Sequence, residues 1–217
     1  MIVTIDGPAG AGKSSAARGL ARRLGYRFLD TGAMYRAVTL AAKERGIDLA
    51  DGEQLAELAR QIRVELADDR VLVDGRDVTQ SIRRFEITTS IHHAADNPDV
   101  RAQLVLWQRA AAQGADVVTE GRDQGTVVFP FAECKIFLTA DEHERAQRRH
   151  RDLVARGENI PFDEVLAHQR LRDQRDLTRP VGALMKAPDA IEVSTDGLSA
   201  DEVIARLEQI VRSKQSP

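Results

Sequence analysis

Cysteine occurs once in the 217 residues, at Cys134. A single thiol excludes an internal disulfide and a thiolate metal cluster, and it fits a reducing compartment. Cys134 stands beside Lys135 at the start of an apolar run, a setting that suits a strand residue better than a reactive thiol. Long apolar runs are also missing, and no stretch approaches the ~20 residues of a membrane span. The N-terminal MIVTIDGPAG has no basic leader before its few apolar residues. Aromatic residues make up only 4% of the chain, and in residues 141–180 acids interleave with the arginines, which argues against a nucleic-acid surface there. A net charge of −3 offers no general attraction to nucleic acid or anionic lipid. The expectation is a soluble cytoplasmic monomer without membrane or nucleic-acid partners.

What is present is ordinary globular composition, 42% hydrophobic and 30% charged, at a length that suits one domain with room for an insertion. Short apolar runs at 2–5, 27–29, 117–119, 135–139 and 190–193 read as strands, with helical patterns between them. That alternation predicts an α/β fold, a five-stranded, mainly parallel sheet covered on both faces by helices. A helix is expected over 13–24, directly after a glycine loop. Another opens at Asn97-Pro98, a cap followed by a first-turn proline, and runs to about Gln113. Ser199 and Glu202 have the spacing of a capping box for the last helix.

Two segments depart from this rhythm. Residues 62–74 read as two strands forming a hairpin around Asp68-Asp69, inside an insertion of roughly 45–95. Residues 141–180 are charged helical patterns, interrupted near Gly157 and stopped at Pro180. Most of their charges read as solvated helix faces.

The stretch GPAGAGKS, residues 7–14, matches G-x-x-x-x-G-K-[ST] without mismatch, follows a short strand and opens a helix. The glycines let backbone amides approach phosphate oxygens, and the helix start directs free N–H groups at the same anion. Lys13 adds a mobile cation, and the Ser14 hydroxyl is a ligand for Mg²⁺. Gly7, Pro8, Ala9, Gly10, Ala11, Gly12, Lys13, Ser14 and Ser15 are therefore the candidate nucleoside triphosphate site. Nothing in this loop identifies an acceptor.

Four other stretches can hold a second anionic substrate. DTGAMYR, residues 30–36, follows the second strand, and a helix starting near Gly32 would carry Arg36 one turn in, with Thr31 at its entrance. Arg101 lies in the first turn of the helix opened by Pro98, where the helix dipole favours acids rather than a cation. EGRDQGTVVFP, residues 120–130, sets Arg122 beside Asp123 at the end of the third strand, either as a local ion pair or as two halves of a receptor. In LRDQRDLTR, Arg172, Asp176 and Arg179 recur at i, i+4, i+7, although Pro180 biases Arg179 out of helical geometry. Several guanidiniums for phosphate, with carboxylates for donor groups on a base or sugar, suit a nucleoside monophosphate.

TIDGPAGAGKSS, LDTGAMYR, EGRDQGTVVFP, KIFLTA and LRDQRDLTRPV occur in this order along the chain. Together they resemble the bacterial cytidylate kinase family, within the nucleoside monophosphate kinases. The resemblance implies a P-loop nucleoside monophosphate kinase fold with core 1–44, 96–140 and 187–217, a monophosphate-binding insertion at about 45–95 and a helical lid at about 141–186. It implies transfer of the ATP γ-phosphoryl group to CMP or dCMP with Mg²⁺. Thr31, Arg36, Arg122 and Arg179 would surround the acceptor phosphate, Arg101 and Asp123 would read the cytosine edge, and Arg172 and Asp176 would contact the sugar. Lys13 with lid arginines (Arg148, Arg149, Arg172 and Arg179 are the candidates) would stabilise the transferring group. Glu120 would orient Mg²⁺ through water or cap the turn. His92 stands where the family pattern has a base-contacting serine. The alternatives are a UMP or AMP kinase on the same fold and, from another class, a nucleotide-gated switch.

Overall fold

The computed structural model describes residues 1–67, 70–155 and 157–215. In chain order it runs β1 (Ile2–Asp6), α1 (Lys13–Leu24), β2 (Arg27–Asp30), α2 (Thr31–Glu44) and α3 (Gly52–Gln61). Next come β3 (Val64–Ala67), β4 (Arg70–Val73), β5 (Arg76–Asp77), α4 (Phe85–Ser90), α5 (His92–Ala95) and α6 (Pro98–Ala112). Then follow β6 (Val117–Gly121), β7 (Cys134–Thr139), α7 (Glu142–Ala155), α8 (Phe162–Thr178), β8 (Ile191–Ser194) and α9 (Ala200–Gln215). None of the described helices is long and apolar enough to cross a membrane. The chain divides into two compact units, Met1–Phe28 with Ala115–Pro217, and Leu29–Gly114.

The first unit is built on the five-stranded parallel sheet, in the order β2-β6-β1-β7-β8. β1 lies at the centre, and four of its five residues are buried, as expected of a strand covered on both faces. Its register aligns Asp6 with Gly121 of β6 and Phe137 of β7, so β1 and β6 end together at one edge while β7 runs on to Thr139. Open parallel sheets bind ligands outside that edge. Against the sheet α1 buries Ala16, Ala17, Leu20 and Ala21, and α9 buries Val203, Ile204, Leu207 and Val211. A Cβ on Gly19 would lie 2.3 Å from Ile204 Cδ1, so the bare α1 backbone lets α9 approach closely. α9 opens with the expected capping box: Ser199 N donates to Glu202 Oε2 at 2.9 Å, and Glu202 N to Ser199 Oγ at 3.3 Å.

In the second unit three helices start on capping side chains. Asp30 accepts from Ala33 N, Asp51 from Gln54 N, and Asn97 from Asp99 N and Val100 N. α2 therefore begins at Thr31, one residue earlier than Gly32, because Asp30 provides the cap. β3 and β4 pair antiparallel as the hairpin reading requires, and the turn at Asp68-Asp69 lies outside the described residues. A third strand, β5, was not anticipated. It pairs with β4 across Asp74-Gly75, whose φ angles are 51° and 80°. Positive φ at both central residues is the geometry of a type I′ hairpin, which an Asp-Gly pair favours.

Leu207 is fully buried in the first unit's core. Leu207→Ala should lower the free energy of unfolding by about 2–5 kcal/mol. Urea denaturation followed by circular dichroism checks this; a loss within error of zero would show that α9 is not held by that core.

Candidate active site

β1 delivers the chain into the glycine loop at the carboxyl edge of the sheet. At Gly7 φ is +149°, and a Cβ would stand 2.1 Å from Leu138 O, so neither the conformation nor the space admits a side chain. Gly12 sits at the N-cap of α1 without a side-chain cap, which leaves first-turn N–H groups for an anion. Ser14 Oγ donates to Glu120 Oε1 at 2.8 Å, joining the loop to the end of β6. Glu120 thus engages the phosphate-loop hydroxyl.

Lys13 is 5% exposed, and its Nζ donates to Pro8 O at 2.7 Å. Burial and then the neighbouring Arg122 guanidinium push its pKa down to about 7, with Arg172 acting the same way and Glu120 and Asp176 opposing them. Lys13 therefore lies within electrostatic reach of three of the residues expected to handle an acceptor.

Those residues are organised around Asp176. Arg122 Nε donates to Asp176 Oδ2 at 2.6 Å, and Arg179 Nη2 donates to Asp176 Oδ1. Burial alone would raise the Asp176 pKa, but Arg122, Arg172 and Arg179 outweigh it and hold the carboxyl below its ordinary range. The reading of Arg122 and Asp123 as an ion pair with each other is not what the structure adopts: Arg122 turns to α8. α8 ends at Thr178, and Arg179 is extended at φ −60° and ψ 143°, as Pro180 requires. The stretch after Asp123 forms a single π turn over Gln124–Val128. The Asp123 carbonyl accepts from Val127 N at 2.9 Å and Val128 N at 3.1 Å, and Asp123 is buried. Arg148, a lid candidate, donates to Glu144 and to Thr195 Oγ1 and O, with Nη1 3.9 Å from a Cβ placed on Gly12.

Thr31, Arg36 and Arg101 belong to the second unit. Thr31 is buried at the first position of α2, and Arg36 is half-buried farther along that helix. Arg101 is buried, donates from Nη1 to Ala95 O at 3.1 Å and lies 5.6 Å from the Tyr35 ring centroid, which explains a cation near this helix start. His92 Nδ1 is 2.9 Å from Thr89 O, and its ring stacks on His93. Among the described residues no group of His, Cys, Asp and Glu has the arrangement of a metal cluster. Burial pushes the Cys134 thiol up to about 11, so it is inert, as its place in a strand suggests.

Two charged residues at this site escaped the sequence reading. Asp6, the last residue of β1, accepts Gln124 N at 2.9 Å and Gly125 N at 2.8 Å, and burial pushes its pKa up to about 6. An acid ending an apolar strand was the available signal. Arg145 is buried under the loop, donating from Nη1 to Ala9 O and to Asp173, and from Nε to Ala140 O. Among so many arginines in this segment, nothing local distinguishes it.

A family model described as cytidylate kinase matches residues 3–213. The chain belongs to the cytidylate kinase family. It is 52% identical over 212 residues to a cytidylate kinase of Rhodopirellula baltica, covering 98% of this chain and 93% of that protein. It is 47% identical over 218 residues to a bifunctional pantoate ligase/cytidylate kinase of Synechococcus, covering 97% of this chain and 40% of that protein. Among solved structures, a shikimate kinase from Bacteroides thetaiotaomicron aligns over 98% of both chains with a TM-score of 0.52 and 11% identity, a likeness of fold. The fold class and family read from the motifs both hold.

The Lys13 pKa has a consequence for this family member's own stability. Its folded value of about 7 lies below the ordinary 10.5, so folding disfavours the charged form. That penalty is full below about pH 7 and fades as pH rises toward 10.5, each pKa unit being worth about 1.4 kcal/mol. In metal-free, nucleotide-free protein, Lys13→Met should melt above wild type near pH 6, with the gap narrowing as pH rises. Scanning calorimetry across pH checks it; a gap independent of pH would contradict a depressed Lys13.

Proposed function

We infer that the protein transfers the γ-phosphoryl group of ATP to CMP and dCMP. The observation that carries this reading is a second cluster of buried arginines, Arg122 and Arg179 on Asp176, within electrostatic reach of the phosphate-loop lysine. A nucleotide-gated switch has no use for a second anion pocket there. Membership of the cytidylate kinase family points to the acceptor.

In this reading residues 7–15 cradle the ATP phosphates through loop amides, the start of α1 and Lys13. Thr31, Arg36, Arg122 and Arg179 receive the acceptor phosphate, Arg101 and Asp123 read the cytosine, and Arg172 and Asp176 contact the sugar. Residues 45–95, which contain the small antiparallel sheet, form the monophosphate-binding insertion, and 141–186, which contain α7 and α8, form the lid. No covalent intermediate is needed, since positioning and charge neutralisation supply most of the catalysis in phosphoryl transfer. A monophosphate is largely ionised at pH 7, so no side chain has to take its proton. The acceptor phosphate competes with Asp176 for the same guanidinium N–H groups, and its arrival releases Asp176 for the sugar. Closure of the lid excludes the water that would otherwise be phosphorylated instead.

The donor set beside the loop fits Mg²⁺, a hard cation that is usually held by one or two carboxylates together with substrate phosphates. The Ser14 hydroxyl and the Glu120 carboxylate, 2.8 Å apart, are both hard oxygens, and Ser14 would bind the ion while Glu120 orients it. Bound there, Mg²⁺ supplies neutralisation of charge on the β- and γ-phosphoryl oxygens.

Coupled measurement of ADP formation across CMP, dCMP, UMP and AMP tests the activity. CMP and dCMP should be the best acceptors. ADP formation independent of any acceptor would support a hydrolytic switch, and a preference for UMP or AMP would support another kinase of this fold. Asp123 can accept a hydrogen bond from the cytosine 4-amino group, whereas uracil presents a carbonyl. Asp123→Ala should therefore abolish most of the CMP preference over UMP, a discrimination worth up to about 10⁴-fold. Arg36→Ala should weaken both acceptors by about tenfold or more, as expected for a lost charge-assisted contact. Unchanged base preference in Asp123→Ala would remove Asp123 from the reading role.

A further inference from the structure

We propose that Asp6 is a positioning residue, clamping the 121–128 segment onto β1 and so aiming Arg122 and Asp123 at the acceptor. The proposal rests on the kinase reading above and assigns to it a residue that touches neither substrate. Both Asp6 carboxylate oxygens are engaged, Oδ1 by Gln124 N at 2.9 Å and Oδ2 by Gly125 N at 2.8 Å. These amides directly follow Asp123, whose own carbonyl is fixed by the π turn through Val127 N and Val128 N. The backbone from the Asp123 carbonyl through Gly125 is thereby held.

Packing closes the same clamp. A Cβ on Gly125 would lie 3.0 Å from Thr4 Oγ1, 3.2 Å from Lys135 Cδ and 3.4 Å from Asp6 Oδ2, so the turn rests directly on β1 and β7. Gln124 is buried, and its Oε1 accepts from Thr119 Oγ1 at 2.8 Å. A Cβ on Gly121 would meet the Gln124 side chain at 2.8 Å, so that glycine makes room for the anchor. Asp6 also immediately precedes Gly7, where the phosphate loop begins. One carboxylate thus sets the base-reading segment relative to the donor loop. Misplacement of reacting groups by about 1 Å can cost roughly 10²-fold in rate.

Asp6→Asn is the direct test, because an amide keeps one acceptor and turns an NH₂ group toward the second backbone N–H. Gly125→Ala attacks the clamp from the other side while leaving Asp6 intact, and stands in if the first variant does not fold. Either variant should raise KM for CMP by about tenfold or more and lower the CMP-over-UMP preference, with the ATP dissociation constant measured without acceptor within about twofold of wild type. Hydrogen exchange at the Gln124 and Gly125 amides should be slow in wild type and accelerate in the variants. An equal loss of ATP affinity would make Asp6 a phosphate-loop residue and overturn the proposal, as would unchanged KM and base preference in the folded variants. Absence of CMP-dependent ADP formation in wild type would instead strike the kinase reading itself.

Discussion

A cation removed from water must be paired, and the phosphate-loop unit removes several at once. Lys13, Arg145 and Arg179 are nearly inaccessible, and Arg122 is largely covered. Their partners come from separate parts of the chain: Glu120 at the end of β6, Asp173 and Asp176 on α8. This requirement holds α8 against α7 through Arg145–Asp173 and against the end of β6 through Arg122–Asp176, and it ties α7 to the loop through Arg145 donating to Ala9 O. Breaking one partner of a buried pair strands the other, so the arrangement resists piecemeal change.

Carboxylates satisfy these cations only in part. The Lys13 pKa of about 7 records burial first, with the Arg122 and Arg172 guanidiniums adding to it against the opposing Glu120 and Asp176 carboxylates. A pocket in that condition has higher affinity for additional negative charge than one balanced internally. On the proposed function the phosphates of donor and acceptor supply it, and Asp176 holds the guanidiniums in the meantime.

The features legible in the sequence are those whose causes are local. The phosphate loop, the Asn97-Pro98 start, the Ser199–Glu202 box and the bend at Arg179 each depend on residues a few positions apart, and their geometry appears as expected. Asp74-Gly75 was equally local, and β5 could have been read from that pair. The remainder depends on distant partners. Arg122 pairs with a residue 54 positions away, Asp6 with an amide 118 away and Arg145 with a carbonyl 136 away. Adjacent opposite charges in EGRDQGTVVFP suggest a mutual pair, and only the fold shows that α8 competes successfully for the arginine. The roles of Thr31, Arg36 and Arg101 depend likewise on the acceptor and stay within the proposed function.

The most direct test of the central claim, that burial and neighbouring guanidiniums weaken the hold of Lys13 on its proton until phosphate arrives, is the proton balance of ATP binding. Calorimetric titrations in buffers of different ionisation enthalpy give the number of protons exchanged. With Lys13 near pKa 7 in the free protein and restored toward 10.5 by phosphate, binding at pH 8 should take up about one proton, declining toward zero below about pH 6. Binding at pH 8 without proton uptake would mean that Lys13 is already charged in the free protein and would contradict the account.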